Sequence, residues 1–465
     1  MVALKGKFFF IAFVFCLITN LVTATVNQPD ILEGPYKSAP IIHAADRQKK
    51  DWTIIIYMAA DNDLRGFAAR NIKQMALIPS NAHVNIVVHL DIRLSNNKKV
   101  TRRYLIEYNK ITQLNENDPY SQAMDSGDPQ TLISCCRWAI SQFPANHYML
   151  VFWNHGSGII DINGKRIINT ANLFSFNPAI NKFELDRTVG FLELLNAVNN
   201  EKGICWDDTT GHYLTNQKLE FALQEIVNTC LNGQKIDIIG FDACLMAMLE
   251  VGNLIHNYAN IMVASQEVEL GTGWDYKEAL APFATGSPTP AELARNIVVA
   301  YEKTYLKITN DYTQSAVDLN ALNVLETNVN AVSQLLISAL RNDRGMSVKN
   351  AIRTSISKAA CTHFDEPSYK DLHHFYLNLE NHLNNMDFHN YAEGTRIKQE
   401  LAQLLPQGRS LITSCVLANV AGKNLAQAKG ISIYFPERKV DASYRKIPFA
   451  QSNEWINFIT TYLLM

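Results

Sequence analysis

The sequence has no concentration of charge of either sign. Its 42 lysine and arginine residues nearly balance 44 aspartate and glutamate residues, so the formal net charge is −2. It contains no basic block or stripe, which is the electrostatic feature that nucleic-acid binding requires. The composition therefore argues against a nucleic-acid partner, but it does not exclude small acidic or basic substrates.

Long apolar runs are also scarce. The most apolar run, residues 8–22, is shorter than the ~20 residues that a membrane-spanning helix needs. Lys5 and Lys7 precede it and small residues close it, a pattern typical of a secretory signal peptide over residues 1–24. We therefore expect a secreted protein, extracellular or periplasmic, that does not contact the membrane once this segment is removed. An uncleaved N-terminal anchor is the alternative, and the polar residues 25–50 are typical of a leader or propeptide.

Cysteine is sparse and shows no metal-binding spacing. Of the 8 cysteines, Cys16 lies in the predicted signal peptide. The odd number left in a secreted chain implies that at least one thiol is unpaired or is paired outside the chain. No Cys-x-x-Cys pair or zinc-type Cys/His spacing is present, so the sequence identifies no metal ligands. With 47% hydrophobic residues and 18% charged residues, the chain is typical of a globular protein with a sizeable core.

Apolar blocks alternate with helix-like stretches along residues 51–320. This alternation predicts an α/β fold with a mostly parallel sheet and helices on both faces. Residues 321–465 predict a largely helical C-terminal subdomain whose segment 430–436, "GISIYFP", returns a strand to the sheet. The expected strands of the first part are residues 52–61, 83–91, 102–109, 147–154, 235–243 and 260–268. The expected helices are residues 64–78, 129–143 and 245–258.

Two strand ends carry residues with catalytic chemistry. The segment "VFWNHGSG" ends a strand at His155, and "GFDACLM" places Cys244 after another strand and before a predicted helix. Ligands of such sheets bind outside the carboxyl ends of the strands, and neighbouring parallel strands would bring both tips to one edge. The histidine would act as the base for a thiol whose pKa is lowered by the histidine and the helix N-terminus. The backbone N–H groups of Gly156 and Cys244 would face the developing oxyanion. A buried core cysteine and a hydrogen-bonded structural histidine are the non-catalytic alternatives.

Several blocks of the chain resemble signature segments of the clostripain family of cysteine peptidases, relatives of caspases, gingipains and legumain. The resemblance spans roughly residues 51–436 and implies a caspase-like fold. The blocks are "WNHGSG", "DACLM" and the segments at residues 52–64, 207–215, 315–320, 369–376 and 430–436.

The resemblance assigns roles to individual residues. His155 and Cys244 match a catalytic dyad that has no obligatory third member. Asp242 matches an acid of the S1 pocket, which would pair with the arginine or lysine of a protein or peptide substrate. The non-catalytic alternative for Asp242 is a helix N-cap or strand-end residue.

The chemistry needs no cofactor, but calcium is possible because many family members depend on it. The pair Asp207–Asp208 is one candidate for calcium ligation, with an exposed acidic turn as the alternative.

Residues 159–204 form a longer link between the histidine and the cysteine than family members often have. A loop of this length is generally functional or disordered, and by resemblance this one would be an activation segment that the enzyme cuts in itself. Lys165, Arg166 and Lys202 are the candidate cleavage sites. The alternatives are an ordered lid and a substrate-selecting insertion. We expect a monomer, which self-cleavage would convert into two associated chains.

Two other functions stay open at this point. A catalytically inactive member would use the same fold for surface binding. A transpeptidase or ligase would use the same dyad to transfer the acyl group to an amine rather than to water. Product analysis separates the last of these from a hydrolase.

Overall fold

The computed structural model describes residues 48–79, 82–114, 123–163, 173–187 and 201–465. All of them belong to one compact unit. The predicted signal peptide, nearly all of the predicted leader and the candidate cleavage sites Lys165 and Arg166 lie outside the described residues. Within those residues, no helix is long and apolar enough to cross a membrane.

A nine-stranded sheet forms the centre of the described fold. The described residues form strands that belong to this sheet and to smaller two-stranded sheets. In chain order they are β1 (Lys50–Ala60), β2 (Val84–Arg93), β3 (Lys99–Glu107), β4 (Lys110–Gln113), β5 (Ala145–Trp153), β6 (Ile162–Asn163), β7 (Phe174–Asn177), β8 (Lys182–Leu185), β9 (Glu201–Lys202), β10 (Ile236–Asp242), β11 (Ala259–Ala264), β12 (Thr313–Asp318), β13 (Tyr369–Asp371), β14 (Val416–Ala421) and β15 (Ser432–Tyr434). The order in the large sheet is β14-β12-β11-β10-β5-β1-β2-β3-β4.

Helices flank this sheet and dominate the C-terminal part. The α-helices are α1 (Arg65–Met75), α2 (Pro129–Gln142), α3 (Asn216–Cys230), α4 (Leu249–Ile255), α5 (Tyr276–Ala279), α6 (Pro290–Tyr305), α7 (Leu322–Arg341), α8 (Ser347–Ile356), α9 (Leu372–His382), α10 (Tyr391–Cys415), α11 (Pro448–Ser452) and α12 (Trp455–Leu464). Local sequence explains some of their starts. Asp128 caps α2 by accepting a hydrogen bond from Gln130 N, and Pro129 occupies the first helical position.

The middle of the sheet is parallel, as the apolar blocks predicted. Strands β2, β1, β5, β10 and β11 pair in parallel, and antiparallel strands are added at both sides. Nine consecutive residues of β1 are buried, because both faces of a central parallel strand are covered. The predicted α/β class with a mostly parallel sheet and a helical C-terminal region is confirmed.

The C-terminal region adds a different strand to the sheet from the one predicted. The edge strand is β14, which pairs with β12. The predicted segment 430–436 instead contributes β15, which pairs with β13 in a separate small sheet. An apolar strand pattern shows that a segment is extended and buried, but the choice of partner depends on contacts far along the chain.

Part of the long link between the histidine and the cysteine is an ordered hairpin. Its strands β7 and β8 pair with each other, and Phe183 N donates to Ile308 O at 2.8 Å. Lys182 Nζ donates to Asn310 Oδ1 at 2.7 Å, and Arg187 Nη2 lies 2.8 Å from Glu267 Oε2. The candidate cleavage site Lys202 lies in β9, which pairs with β6.

An aromatic cluster covers the end of β15. The Phe435 ring is fully buried, and four aromatic rings surround it with centroid distances of 5.4–5.7 Å. Edge-to-face contacts of this kind add to the free energy gained by burying apolar area. The four rings are Phe375, Trp455, Phe458 and Tyr462.

We expect Phe435→Ala to lower the free energy of unfolding by about 3–5 kcal/mol, because it removes apolar contacts and leaves a cavity. Phe221→Ala is the matched control, since that ring is 44% exposed; its effect should stay near 0.5 kcal/mol. Urea unfolding followed by circular dichroism measures both. Equal effects of the two substitutions would contradict the assignment of Phe435 to the core.

Candidate active site

A cleft lies at the carboxyl ends of three neighbouring strands. Strand β5 pairs with β1 through Met58 and Trp153, and with β10 through Trp153 and Asp242. From β1 the chain proceeds outward to β2, and from β5 it proceeds to β10 on the other side. The ends of β1 and β5 therefore flank a topological switch point, where α/β proteins bind their ligands.

The structure brings the sequence-predicted residues together in this cleft. His155, Asp242 and Cys244 all line this cleft. Gly156 lies directly against the nucleophile candidate, because a Cβ atom there would be 2.4 Å from the Cys244 carbonyl oxygen. Only glycine permits this approach.

The His155 ring has an acidic partner that the sequence analysis missed. Its Nε2 lies 2.6 Å from Asp63 Oδ1, and the imidazole is only 7% exposed. A carboxylate beside Nε2 favours the tautomer with the proton on that nitrogen and leaves Nδ1 as the acceptor. The sequence feature that could have identified Asp63 is its position just after β1. That strand is the parallel neighbour of β5, which ends shortly before the histidine.

Two asparagines, Asn62 and Asn154, hold the loops that carry this pair. They immediately precede the aspartate and the histidine, and each donates to Ala59 O, at 3.0 and 2.6 Å. Asn62 Nδ2 also donates to Trp206 O at 3.0 Å, and Trp206 N donates to Asn154 Oδ1 at 2.9 Å. The ends of β1 and β5 are thereby joined to each other and to the segment that follows the long link.

Cys244 lies on a loop rather than at a helix N-terminus, so that prediction is wrong. The helix that follows, α4, begins five residues later at Leu249. The intervening backbone is bonded to the segment after β11, since Leu245 N donates to Glu267 O at 3.2 Å. Leu245 has a φ of 66°. A left-handed conformation is unfavourable for a branched residue and persists only where its surroundings hold it.

The Cys244 thiol is buried, with 4% of the residue exposed. Glu269 N donates to its Sγ at 3.3 Å. Burial, together with the negative charge of the Glu269 carboxylate, raises the pKa of the thiol well above its usual value. The expected lowering of this pKa by a helix N-terminus is therefore also wrong. A thiolate has to be formed by proton transfer to a nearby base.

Asp242 is the last residue of β10, and two hydrogen bonds fix its carboxylate. Its Oδ1 accepts a hydrogen bond from Trp274 N at 3.0 Å, and its Oδ2 accepts one from the Tyr276 hydroxyl at 2.8 Å. Burial raises the pKa of Asp242 to about 6. Gly273, with a φ of 59°, lies against this group, since a Cβ there would be 2.6 Å from Oδ1.

Glu269 is a second acid of the cleft that the sequence analysis did not identify. It is 5% exposed, and its carboxyl group lies beside that of Asp242, with which it interacts directly. Burial and the neighbouring charge of Asp242 raise the pKa of Glu269 well above its usual value. Two buried carboxyl groups with unused acceptors favour a cationic ligand, which would stabilise their ionised forms.

The alternative to a calcium site, an exposed acidic turn, is only partly correct, because Asp208 begins a turn at residues 208–210 but is half-buried. Asp207 is fully buried and pairs with the ammonium group of Lys99. Lys99 Nζ also lies 3.1 Å from Asp91 Oδ2, so a lysine already occupies the place where these acids converge. Calcium needs six to eight oxygen ligands around an open centre, and these residues do not fit it. Across the described residues, no group of three or more histidine, cysteine or acidic side chains is placed to hold a metal.

We expect Gly156→Ala to lower the free energy of unfolding by about 1–3 kcal/mol, because its Cβ would overlap the Cys244 carbonyl oxygen. It should also speed alkylation of Cys244 by separating the two loops. Gly66→Ala is the control: it lies in α1 with nothing within 4 Å of its Cβ, and alanine there should be neutral or stabilising. Thermal unfolding and mass spectrometry of alkylated Cys244 test this. Equal reactivity in both variants would refute the predicted overlap.

Comparisons with solved structures confirm the fold. A secreted C11 cysteine protease from Bacteroides thetaiotaomicron, solved with an irreversible peptide inhibitor, aligns with a TM-score of 0.54 and 17% identity over 88% of this chain and 99% of that chain. An inactive zymogen C11 protease from Parabacteroides distasonis aligns with a TM-score of 0.54 and 16% identity, covering 89% of this chain and 99% of that chain.

Sequence comparison gives the family. Clostripain from Hathewaya histolytica is 24% identical over 315 residues, which cover 59% of this chain and 53% of that protein. The chain therefore spans about half the length of this curated relative. The model of the clostripain family matches residues 56–183 and 191–461. Because that match takes in most of the chain, the protein belongs to the clostripain family of cysteine peptidases, as the sequence blocks predicted.

Proposed function

We propose that the protein is a cysteine endopeptidase in which His155 and Cys244 hydrolyse peptide bonds after arginine or lysine. The observation that carries this proposal is the shared cleft, in which a histidine, a thiol and Asp242 meet at the ends of adjacent parallel strands. Membership of the clostripain family supports the same reaction class. We further propose that the protein is secreted through its N-terminal segment; the solved relative from Bacteroides thetaiotaomicron is described as secreted.

The proposed reaction begins with transfer of the thiol proton to His155. The Cys244 sulfur then bonds to the carbonyl carbon of the substrate, and the histidine returns the proton to the nitrogen as the peptide C–N bond breaks. Water, deprotonated by the same histidine, attacks the thioester and releases the new carboxylic acid together with the thiol. In both steps the N–H groups of Gly156 and Cys244 stabilise the oxyanion.

Asp63 would act in this reaction through the histidine. Its carboxylate orients the ring and stabilises the imidazolium that forms when the thiol gives up its proton. The short contact of 2.6 Å supports this positioning role. The predicted dyad would then be a histidine and a cysteine with a positioning aspartate.

The acids Asp242 and Glu269 would form the S1 pocket. Trp274 N and the Tyr276 hydroxyl hold Asp242 in place but leave it further acceptor capacity. A guanidinium or ammonium group placed between the two carboxyl groups would offset the cost of burying their charge. This argument supports arginine or lysine as the residue that precedes the cleaved bond.

We also propose self-cleavage within residues 159–204. Two basic side chains of that segment are already engaged, since Lys182 bonds to Leu306 O and Asn310 Oδ1, and Arg187 pairs with Glu267. Cleavage at either would have to break these contacts. This leaves Lys165 and Arg166, together with Lys202 in its strand, as the candidates.

The first experiment assays purified protein on fluorogenic peptides that end in arginine, lysine or aspartate, with a denaturing gel of the same samples. We expect turnover of the arginine and lysine peptides, and loss of at least 10³-fold in Cys244→Ala, because the nucleophile is removed. Splitting of the chain in residues 159–204 should disappear in the same variant. Mass spectrometry of the products in the presence of an added amine separates hydrolysis from acyl transfer to that amine.

Cys361→Ala is the matched control, since Cys361 is another buried free cysteine, 2% exposed and outside the cleft. It should keep full activity. An inactive wild type, under reducing conditions and after nicking with trypsin, would refute the peptidase proposal in favour of a binding protein. An unsplit chain with full activity would remove the self-cleavage proposal.

A pH prediction follows from Asp242. Because the pKa of this carboxyl is raised to about 6, the group is ionised above pH 6 and becomes neutral as the pH falls below it. We therefore expect kcat/KM for an arginine peptide to fall below pH 6 relative to kcat/KM for its neutral citrulline analogue. The ratio cancels every ionisation that affects both substrates equally.

In Asp242→Asn the ratio should be smaller than in the wild type above pH 6, and any pH dependence left in it would come from Glu269. A pH-independent ratio in the wild type would contradict the assignment of Asp242 to S1.

A further inference from the structure

Lys99, at the start of β3, extends its ammonium group into a cluster of three buried carboxylates. Nζ contacts Asp207 Oδ2 directly and lies 3.1 Å from Asp91 Oδ2 and 3.7 Å from Asp61 Oδ2. The lysine side chain is 8% exposed, and the three aspartates are at most 1% exposed. Charged groups this deep are stable only when they are paired and hydrogen-bonded.

The charges of this cluster nearly balance only when Lys99 is present. Arg93 supplies the second cation, with Nε 2.9 Å from Asp61 Oδ1. Burial raises the pKa of Asp91 to about 7, and the Ser126 hydroxyl donates to its Oδ2 at 2.7 Å. Two cations therefore face three carboxyl groups, of which Asp91 is the one whose pKa burial raises. Without the lysine, a single arginine would face all three acids.

The cluster joins segments that are remote in sequence. Asp61 lies two residues before Asp63, the partner of the histidine. Thr209 N donates to Asp61 Oδ2 at 3.2 Å, and Asp208 N donates to Asp61 O at 2.8 Å. Lys99 thereby connects the end of β1 with residues 206–209, the segment that follows the long link. Cleavage of that link would leave Lys99 and Asp61 in one chain and Asp207 in the other.

We propose that Lys99 is a positioning residue that acts as an internal cation, fixing the loop of Asp63 to residues 206–209 and so holding His155 in its reactive orientation. The lysine does at this cluster what a bound divalent cation does elsewhere, cross-linking carboxylates from separate segments. This inference rests on the proposed peptidase function for its kinetic consequences but not for its structural ones.

The test compares Lys99→Met with Lys370→Met in the full-length protein. Lys370 is an equally buried lysine, whose closest acidic partner among the described residues is Glu437 at 3.8 Å. Hydrogen–deuterium exchange measures the loops without requiring activity. We expect Lys99→Met to raise exchange at residues 61–64 and 206–209, and Lys370→Met to leave both segments as in the wild type.

Kinetics at a temperature well below unfolding provide the second readout. We expect kcat of Lys99→Met to fall about 10- to 100-fold with little change in KM, because a misplaced base slows the chemical step. Asp63→Asn should reproduce this effect, and a Lys99→Met/Asp63→Asn double variant should be no worse than either single variant, since both act through His155.

Lys99→Met/Asp91→Asn guards against failure to fold, because it removes one cation and one anion together. It should regain stability but keep the raised exchange and the low kcat. Wild-type exchange and kcat in this variant would show that Lys99 only stabilises the fold, and would overturn the proposal. An inactive wild type with raised exchange in Lys99→Met would refute the peptidase function and leave the structural role of Lys99 standing.

Calcium provides the last arm of the test. We expect the thermal midpoint of the wild type to be the same in EGTA and in millimolar calcium. A calcium-dependent rise of that midpoint that disappears in Asp207→Asn would place the metal at this cluster and overturn the assignment of Lys99 as its cation.

Discussion

Parallel pairing of β5 with both β1 and β10 is the constraint on which the candidate site depends. It places three carboxyl ends side by side, so Asp63, His155 and the Asp242–Cys244 segment come together although about 180 residues of chain separate the first from the last. The apolar blocks of these strands favour pairing because both faces of the sheet are covered. The hydrophobic core and the cleft are therefore consequences of one arrangement.

Around this edge, buried charge is arranged in two ways. In the cleft, Asp242 and Glu269 have raised pKa values and retain capacity to accept hydrogen bonds, which favours a cation supplied by a substrate. Behind the loop of Asp63, Asp207 and its neighbours already have their cations, Lys99 and Arg93. The same physical requirement, compensation of carboxylates removed from water, thus favours a cationic ligand in one place and is met by ion pairs within the chain in the other.

The described parts of the long link between the histidine and the cysteine, and the segment that follows it, are hydrogen-bonded to the rest of the fold. Hairpin β7–β8 contacts residues 308–311, and residues 206–209 contact the end of β1. If the link is cut, contacts of this kind would keep the two chains associated. They would also keep the loops beside His155 in place.

Sequence alone determined the alternation of strands and helices and placed His155, Asp242 and Cys244 at strand ends, because burial patterns and strand-end motifs are local. Tertiary structure decided that Asp63 lies beside His155, that Glu269 lines the cleft and that Lys99 pairs with Asp207. It also decided that Cys244 lies on a loop rather than at a helix start, and that β14 rather than residues 430–436 joins the large sheet. Those outcomes depend on which strands become neighbours and on which charges burial forces together. Such contacts form between segments far apart in the chain, so no local pattern specifies them.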